Sequence, residues 1–488
     1  MSTFLLLAAI LLPILAGACQ RFFPLRRERS YRIYLMAATL AASALTWALI
    51  LWCGEERLAL LSFTDDLVLV LRFDGLGRFF AGIISTLWPL TLLYAFEYMR
   101  DDGRKKLFFS FFTMAYGVTL GVAMAGNLFT MYCFYELLTL STVPLVLHPN
   151  THEAVRAART YFVYSLGGAA FAFAAMIFLI SNGYGEDFTF GGLLNTYPYA
   201  RPQFTLIFYT LGVFGFGVKA AMFPTCRWLP MASVAPTPVT ALLHAVAVVK
   251  SGVFAIIRLT WYAYGVKLLA GTWAHGVVLS FAAFTILYGA SRAVKETHWK
   301  RRLAWSTVAN LSYVIFGTVL MTPEGLSAAL LHMAFHAEIK ILAFFCCGAV
   351  LHQSGVEYVR DLNGLGRRMP VTFVCFTAAA VALTGIPPFS GFVSKWSLLT
   401  AAASAGTPLA YMGAGILLLA ALLTAIYMFT TVTRAWFPVR GETEARPGVR
   451  EANWYMTVPM LILTLAILLT GLFAGPIVRA TQAIAGLN

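Results

Sequence analysis

Charged residues are scarce in this sequence. They make up 11% of the 488 residues, while hydrophobic residues make up 60%. A soluble domain carries roughly 25% charged residues, so the composition excludes an ordinary soluble protein and indicates a chain that crosses a membrane many times. The formal net charge of +14 does not indicate a nucleic-acid-binding protein, because the basic residues are scattered through short loops.

Motifs for redox chemistry and nucleotide binding are also missing. The seven cysteines form no CxxC motif, which argues against a disulfide framework and against an iron–sulfur cluster. No GxGxxG or P-loop motif lies between a strand and a helix. We therefore expect no catalytic residue, no cofactor and no metal in this chain, and an energy source that lies outside it.

Long apolar runs predict 14 transmembrane helices, because a helix of about 20 residues spans the hydrocarbon core of a bilayer. No soluble domain interrupts the series, and we expect the first run to be a membrane helix rather than a cleaved signal peptide. The predicted spans are 2–20, 33–53, 74–97, 107–125, 127–148, 160–181, 203–224, 237–258, 274–293, 302–321, 326–352, 370–402, 408–433 and 454–477.

The distribution of basic residues predicts the orientation of the chain. Of the 35 lysines and arginines, 24 lie in loops that follow odd-numbered spans and 7 lie on the opposite side. Cytoplasmic loops are rich in lysine and arginine, so both termini are predicted to face outward. Arg258 is counted among the 7 residues of the outer side.

The remaining basic residues are four lysines inside predicted spans: Lys219, Lys250, Lys340 and Lys395. One clear carboxylate, Glu136, also lies inside a span. A charged side chain at the bilayer centre costs at least ~2.5–3.5 kcal/mol on insertion scales. Five such residues indicate a functional role in the membrane.

Two predicted spans are interrupted by proline or glycine beside one of these lysines. The seventh reads GFGVKAAMFPTCRWLP around Lys219, and the twelfth reads TGIPPFSGFVSKW before Lys395. Proline breaks the helical hydrogen-bond ladder, and broken spans at matching places are typical of inverted-repeat transporters. The pattern predicts an all-α membrane protein in which spans 4–8 and spans 9–13 form two repeats. The predicted segments are 1–106 (spans 1–3), 107–258 (first repeat), 274–433 (second repeat) and 434–488 (a loop and span 14).

Polar residues on the eleventh span share one helix face. His332, His336 and Lys340 are spaced four residues apart, so they lie one above the other. Glu338 points elsewhere, and His244 lies on the eighth span beside Lys250 in sequence. Spacing gives no third ligand for a metal ion. The tenth span adds the polar residues Ser306, Thr307, Asn310 and Ser312.

Each of these groups allows two interpretations. Glu136 and Lys219 form either a titrating pair, because proximity of the partner restores the charged form that burial disfavours, or a static ion pair that fixes helix packing. The histidines are proton carriers or hydrogen-bonded core residues. Snorkelling to the interface is the alternative for the other lysines, although Lys250 and Lys340 have apolar flanks on both sides. Position inside the membrane beside a broken helix favours the functional interpretation.

Five stretches of the sequence carry a family resemblance. They are YELLTLS (135–141), VKAAMFPTCRWLPMASVAPTPVTALLHAVAVVKSGVFAIIR (218–258), KRRLAWSTVANLSY (300–313), FHAEIK (335–340) and GIPPFSGFVSKW (385–396). They resemble the antiporter-like membrane subunits shared by respiratory complex I, group 4 membrane-bound hydrogenases and multi-subunit Na⁺/H⁺ antiporters. The resemblance covers spans 4–13 and implies 14 spans with two inverted five-helix repeats.

The resemblance also implies roles for single residues. Glu136 matches the family's fifth-span glutamate, Lys219 and Lys250 match the lysines of spans seven and eight, and Lys395 matches a twelfth-span residue that is Lys or Glu. His336 and Lys340 match the polar site of span eleven. The chain departs from the family at 226–228, which reads Cys-Arg-Trp where a histidine is often found. By length it is similar to the medium-length members, such as the D-type antiporter subunit or its hydrogenase equivalent.

We therefore predict a proton-translocating subunit of a larger complex in a prokaryotic cytoplasmic (inner) membrane, with other membrane subunits and lipid as its partners. Transport of Na⁺ is left open. One alternative is the same subunit in an ion-pumping oxidoreductase complex of the hydrogenase, formate hydrogenlyase or complex I-like respiratory type, and another is a self-contained secondary transporter. The predicted path comprises Glu136, Lys219, Lys250, His244, His332, His336, Lys340 and Lys395.

Overall fold

The computed structural model describes residues 2–20, 27–64, 67–183, 187–196, 202–439 and 448–487. Within these residues, ten helices are long and apolar enough to cross a membrane, and three shorter apolar helices accompany them. The chain is therefore an all-α polytopic membrane protein, as the apolar runs predict. The count of 14 spans and the inverted repeat stay predictions. Five arginines of the loop-charge count lie outside the described residues: Arg21, Arg26, Arg201, Arg440 and Arg446.

The helices follow the predicted spans closely in order and position. They are α1 (Ser2–Cys19), α2 (Glu28–Trp52), α3 (Gly75–Tyr98), α4 (Lys105–Ala123), α5 (Leu128–Leu147), α6 (His152–Ser181), α7 (Pro202–Lys219), α8 (Trp228–Met231), α9 (Thr237–Ala245), α10 (Val248–Ile257), α11 (Val266–Leu269), α12 (Trp273–Lys295), α13 (Trp299–Thr318), α14 (Pro323–Ser354), α15 (Pro370–Thr384), α16 (Ser390–Ser404), α17 (Pro408–Trp436), α18 (Trp454–Leu472) and α19 (Gly475–Ile484).

The chain forms two compact units. Unit 1 comprises Met1–Pro89, Asp102–Trp228 and Val246–Val278, and unit 2 comprises Leu90–Asp101, Leu229–Ala245 and Leu279–Asn488.

Glycines allow close helix packing within unit 1. A Cβ atom on Gly168 of α6 would lie 2.6 Å from the carbonyl oxygen of Gly215 on α7. In the same way, Gly117 of α4 packs against the carbonyl of Ile10 on α1. Small residues are typical of membrane helix interfaces, because lipid tails provide no hydrophobic drive for helices to associate.

Helix α14 is the buried element of unit 2. Its residues are apolar on nearly every side, and most are inaccessible from Gly325 to Val350. A helix with this pattern is expected in the interior of a bundle. It packs against α13 at Gly317 and Gly325, where either glycine would bring an added Cβ within 3 Å of the other's carbonyl oxygen.

Both predicted interruptions are present. Helix α7 ends at Lys219, and only short turns follow before α9 begins. The indole nitrogen of Trp228 donates a hydrogen bond of 2.7 Å to the carbonyl oxygen of Val218, which also accepts one from the backbone nitrogen of Ala221 just after the helix end. Helix α15 ends at Thr384, and α16 begins at Ser390.

Three further features are not predicted by the pattern of apolar runs. The eighth span is interrupted at residues 246–247, which contain neither proline nor glycine, and it ends in a π-helix (Arg258–Tyr264). An antiparallel hairpin of β1 (Arg57–Ser62) and β2 (Val68–Arg72) precedes α3. Arg258, which is counted on the outer side, belongs to this π-helix: the residue is 1% exposed, and its Nη1 lies 2.5 Å from Oδ2 of Asp74. The ion pair allows this arginine to be buried.

Candidate functional site

In unit 1, α5 and α7 bring Glu136 and Lys219 together. Nζ of Lys219 lies 3.4 Å from Oε1 of Glu136. The same ammonium donates a hydrogen bond to the backbone carbonyl of Tyr135 and lies 3.4 Å from the centroid of its ring. The Lys219 side chain is fully buried, whereas the Glu136 side chain is 23% exposed. The lysine therefore has three partners, and the carboxylate has an accessible side.

Lys250 is fully buried on α10. Gly252, two residues further on, packs against the end of α7, where an added Cβ would lie 2.5 Å from the backbone nitrogen of Ala220. Only a glycine allows α10 to approach the α7 terminus this closely. The interruption after Lys219 and the helix that carries Lys250 are thus in direct contact.

In unit 2, Lys340 is held by α13. Its ammonium donates a hydrogen bond of 2.8 Å to the carbonyl oxygen of Leu303 and another to the hydroxyl of Ser306. It also lies 5.9 Å from the centroid of the Phe344 ring, and the ring of His244 lies 5.0 Å from the same phenylalanine. Phe344 therefore contacts both Lys340 and His244.

His244 is completely buried, and neither ring nitrogen has a hydrogen-bond partner among the described residues. Buried polar groups are normally hydrogen-bonded to protein or water.

His332 connects α14 with two neighbouring helices. Its Nδ1 lies 3.0 Å from the hydroxyl of Ser394 on α16, and its Nε2 lies 3.2 Å from Oδ1 of Asn310 on α13. The Asn310 amide donates to the carbonyl oxygen of Ser306 at 2.7 Å, which fixes the end of the amide that faces the histidine. The ring of His336 stacks on that of His332 with centroids 5.8 Å apart.

Lys395 lies at the second interruption. Its ammonium donates hydrogen bonds to the carbonyl oxygens of Leu383, at 2.6 Å, and Thr384, at 3.2 Å, in the last turn of α15. The C-terminal end of a helix carries partial negative charge, so this position stabilises a cation. The Tyr313 ring lies 5.5 Å from the ammonium and 5.2 Å from the ring of His332.

Glu338 faces away from this cluster, as its spacing predicts. It accepts a hydrogen bond of 3.2 Å from Thr470 on α18. The structure adds Tyr135, Tyr313 and Ser394 to the predicted site residues. In the sequence, these three residues are marked only by a hydroxyl group within an apolar span. It does not distinguish a site residue from one that bonds its own helix, as Thr113 does with Phe109.

The predicted path residues thus form two groups. Unit 1 holds Glu136, Lys219 and Lys250. Unit 2 holds the other five, which are His244, His332, His336, Lys340 and Lys395. Within the described residues, no group of three histidine, cysteine or carboxylate side chains lies close enough together to hold a metal ion.

Comparison with known proteins identifies the family. The chain belongs to the NADH:quinone oxidoreductase/Mrp antiporter transmembrane family, whose model matches residues 125–424. Over 468 residues it is 31% identical to NADH-quinone oxidoreductase subunit N of Desulforudis audaxviator (strain MP104C). This alignment covers 91% of this chain and 90% of the relative. It is 30% identical over 411 residues to a subunit of a probable K(+)/H(+) antiporter of Rhizobium meliloti (strain 1021), covering 82% of this chain and 40% of that longer protein.

Two solved structures share the fold. The chain superimposes with a TM-score of 0.88 and 20% identity on a chain of the Mrp complex from Dietzia sp. DQ12-45-1b, covering 99% of this chain and 97% of the other. The TM-score is 0.85, at 22% identity and the same coverage, for a chain of the membrane-bound sulfane sulfur reductase (MBS), an archaeal respiratory membrane complex. The chain is thus an antiporter-like subunit of the kind found in Mrp and complex I-type membrane complexes.

Proposed function

We propose that this chain carries protons across the membrane as one subunit of a larger complex, along buried lysine and histidine side chains. The observation that carries the proposal is the contact between Lys219 and Glu136 at the end of an interrupted helix. A buried ammonium loses its solvation and is stabilised by a carboxylate partner. A small displacement of the α7 terminus changes their distance, and with it the proton affinity of both groups.

The partial exposure of Glu136 supports a role at the entrance of the path. A carboxylate with one side open at the surface of unit 1 can exchange protons with a group outside this chain, whereas the enclosed Lys219 can exchange only with its neighbours. Lys250 is the next buried cation on the helix that contacts the α7 terminus. In this proposal Lys219 passes its proton toward α10.

The hydrogen bonds of His332 support a relay in unit 2. Because Asn310 presents an oxygen to Nε2, that nitrogen carries a proton. The other nitrogen can accept a hydrogen bond from Ser394 when the ring is neutral, or donate one when it is charged. The Ser394 hydroxyl also lies 3.3 Å from the carbonyl oxygen of Gly391. It can therefore turn between the two acceptors, and His332 keeps two hydrogen bonds in both protonation states.

The two groups of residues would act in series. His244 and Lys250 are six residues apart on one span, so the chain itself links unit 1 to unit 2. In our proposal protons pass from Lys250 to His244, then along Lys340, His336 and His332 to Lys395. The order of these transfers reverses if the complex works as an antiporter. Na⁺ is the second candidate for the transported ion.

The experiment that tests this function is purification of the tagged full chain from its native membrane, with identification of the copurifying subunits and measurement of proton flux in vesicles. We expect other membrane subunits to copurify, and we expect flux to be lost in Lys219→Met. Lys267→Met, at an exposed position on α11, is the matched control and should keep full flux. Purification of the chain alone with robust uptake of a small solute would instead favour a self-contained secondary transporter.

A second candidate is the same subunit within an ion-pumping oxidoreductase complex. It is favoured by the match over nine tenths of the length of a relative named as an NADH-quinone oxidoreductase subunit. Copurification of an iron–sulfur or hydrogenase subunit would identify an oxidoreductase complex, whereas copurification of only subunits without redox centres would identify an antiporter. Measurement of flux in the same vesicles with and without a Na⁺ gradient tests whether Na⁺ is carried in addition to H⁺.

A further inference from the structure

Unit 2 contains a cavity of about 520 Å³ whose lining includes none of the proposed path residues. Such a volume falls in the range of about 300–1,000 Å³ that is typical of small-molecule sites. Three arginines from three different segments line it: Arg302 at the start of α13, Arg360 in the turn before α15, and Arg434 at the end of α17. Threonine side chains line the rest of its polar surface. The lining is therefore strongly basic.

Arg302 is a largely buried cation whose direct hydrogen bonds go to neutral oxygen atoms, while the Glu296 carboxylate acts on it electrostatically. The residue is 8% exposed. Its Nε donates to the carbonyl oxygen of Glu296 at 2.8 Å, and its Nη1 donates to the hydroxyls of Thr430, at 3.1 Å, and Thr431, at 3.2 Å. Among the described residues, no carboxylate forms an ion pair with it. Arg302 therefore places positive charge at the wall of the cavity without a direct carboxylate contact among the described residues.

The other two arginines belong to neighbouring segments of the cavity wall. Nε of Arg434 donates to the backbone carbonyl oxygen of Arg360 at 3.2 Å, which ties the two segments together. The Arg360 side chain has one carboxylate neighbour, Asp361, at 3.5 Å, and both side chains are largely exposed. An exposed ion pair of this kind is weak, so Asp361 competes only weakly with a bound anion.

The surroundings of the cavity indicate where the anion comes from. Phe437 and Val439 also line it, and they are 71% and 45% exposed. The cavity thus combines arginines with exposed apolar side chains at the ends of two membrane helices. Arginine forks bind phosphate groups well, and basic pockets between membrane helices bind the headgroups of anionic lipids. Loop charge predicts the cytoplasmic side for these helix ends.

We propose that the cavity between Arg302, Arg360 and Arg434 binds a phosphate group, supplied by the headgroup of an anionic membrane lipid. The guanidinium groups hold the phosphate, the threonine hydroxyls donate further hydrogen bonds, and the acyl chains lie along the side of Phe437. The site does not take part in the proposed proton path. Its occupancy would tie the start of α13 to the end of α17.

The test uses the full chain purified in a neutral detergent and titrated separately with phosphatidylglycerol, phosphatidylcholine and inorganic phosphate. Lipid retention is measured by native mass spectrometry, and stability by thermal unfolding. The deciding variant is the double substitution Arg360→Gln/Arg434→Gln, because Arg302→Gln would also remove contacts that hold α17. Arg292→Gln is the matched control, since that guanidinium lies 5.2 Å over the Trp305 ring and does not line the cavity.

We expect wild type and Arg292→Gln to retain phosphatidylglycerol in preference to phosphatidylcholine, and the double variant to bind it roughly tenfold more weakly. Equal retention of phosphatidylglycerol by wild type and double variant would overturn the proposal. Stabilisation by inorganic phosphate alone, without selective retention of phosphatidylglycerol, would overturn the lipid as the source of the phosphate.

Discussion

Lys395 donates a hydrogen bond to the carbonyl oxygen of Leu383, 2.6 Å away, across the interruption between α15 and α16. This carbonyl belongs to the last turn of α15, where a helix leaves backbone oxygens without intrahelical donors. The ammonium is thus held by neutral backbone oxygens, and no carboxylate of the described residues forms an ion pair with it. Lys219 differs, because Glu136 stabilises its charged form. The two lysines should therefore respond differently to substitution.

Replacement of Lys395 by alanine should lower proton flux strongly while the complex still assembles. Removing an ammonium that has no ion-pair partner leaves no buried counter-charge behind, and water can satisfy the freed carbonyls at the interruption. The measurement is proton flux in membrane vesicles, set against the abundance of the complex on a native gel. Lys267→Ala at the protein surface is the control. Normal flux at normal abundance would remove Lys395 from the path.

Gly391→Ala should destabilise the second interruption. A Cβ at this position would overlap the carbonyl oxygen of Ala382 in α15, so α15 and α16 would have to move apart. Overpacking of this kind costs roughly 1–3 kcal/mol. Thermal unfolding of the purified chain should show a lower midpoint, and flux should fall with it because the carbonyls that hold Lys395 move.

The matched control for Gly391 is Gly276→Ala on α12, where an added Cβ would have nothing within 4 Å. Alanine is a better helix former than glycine by roughly 0.5–1 kcal/mol, so this variant should be neutral or slightly stabilised. An unfolding midpoint that is the same for both variants would contradict the close approach of α15 and α16.

Sequence alone could predict the interrupted helices and most of the charged site, because both depend on residue types that are rare in membrane spans. Each interruption contains proline close in sequence to Lys219 or Lys395, and proline is compatible with few backbone conformations. The four-residue spacing of His332, His336 and Lys340 predicts a shared face for the same elementary reason, which is helix periodicity.

Other features depend on long-range packing and could not be predicted. The interruption at residues 246–247 has no proline or glycine. The burial of Arg258 requires Asp74, which lies 184 residues earlier in the chain. Likewise, nothing local to Ser394 predicts that its hydroxyl faces His332 on another helix. Such pairs become visible only when the fold brings distant segments together.

Reporter fusions test the predicted orientation and the crossing of α18. A reporter that fluoresces only in the cytoplasm should shine when it is fused after Val439 and stay dark when it is fused to the C-terminus. The expectation follows from the excess of basic residues in the loops after odd-numbered spans. Fluorescence on the same side for both fusions would show that α18 does not cross, and the reverse pattern would invert the topology.

A double-mutant cycle tests the contact between Glu136 and Lys219. Glu136→Gln leaves a fully buried ammonium without its counter-charge, whereas Lys219→Met leaves a carboxylate that is 23% exposed and so less enclosed by the protein. We expect both single variants to lower thermal stability, Glu136→Gln by more, and the double variant to recover part of the loss. The coupling free energy should be about 0.5–3 kcal/mol, as for residues in contact.

Transport separates a titrating pair from a static one in the same set of variants. None of the single or double variants should carry protons, although the double variant regains stability. Lys219→Arg keeps the positive charge and should therefore assemble normally, but its guanidinium stays protonated and cannot pass a proton on. Flux at the wild-type rate in Lys219→Arg would show that the pair only fixes helix packing. Strictly additive stability losses in the double variant would show that the two side chains do not interact.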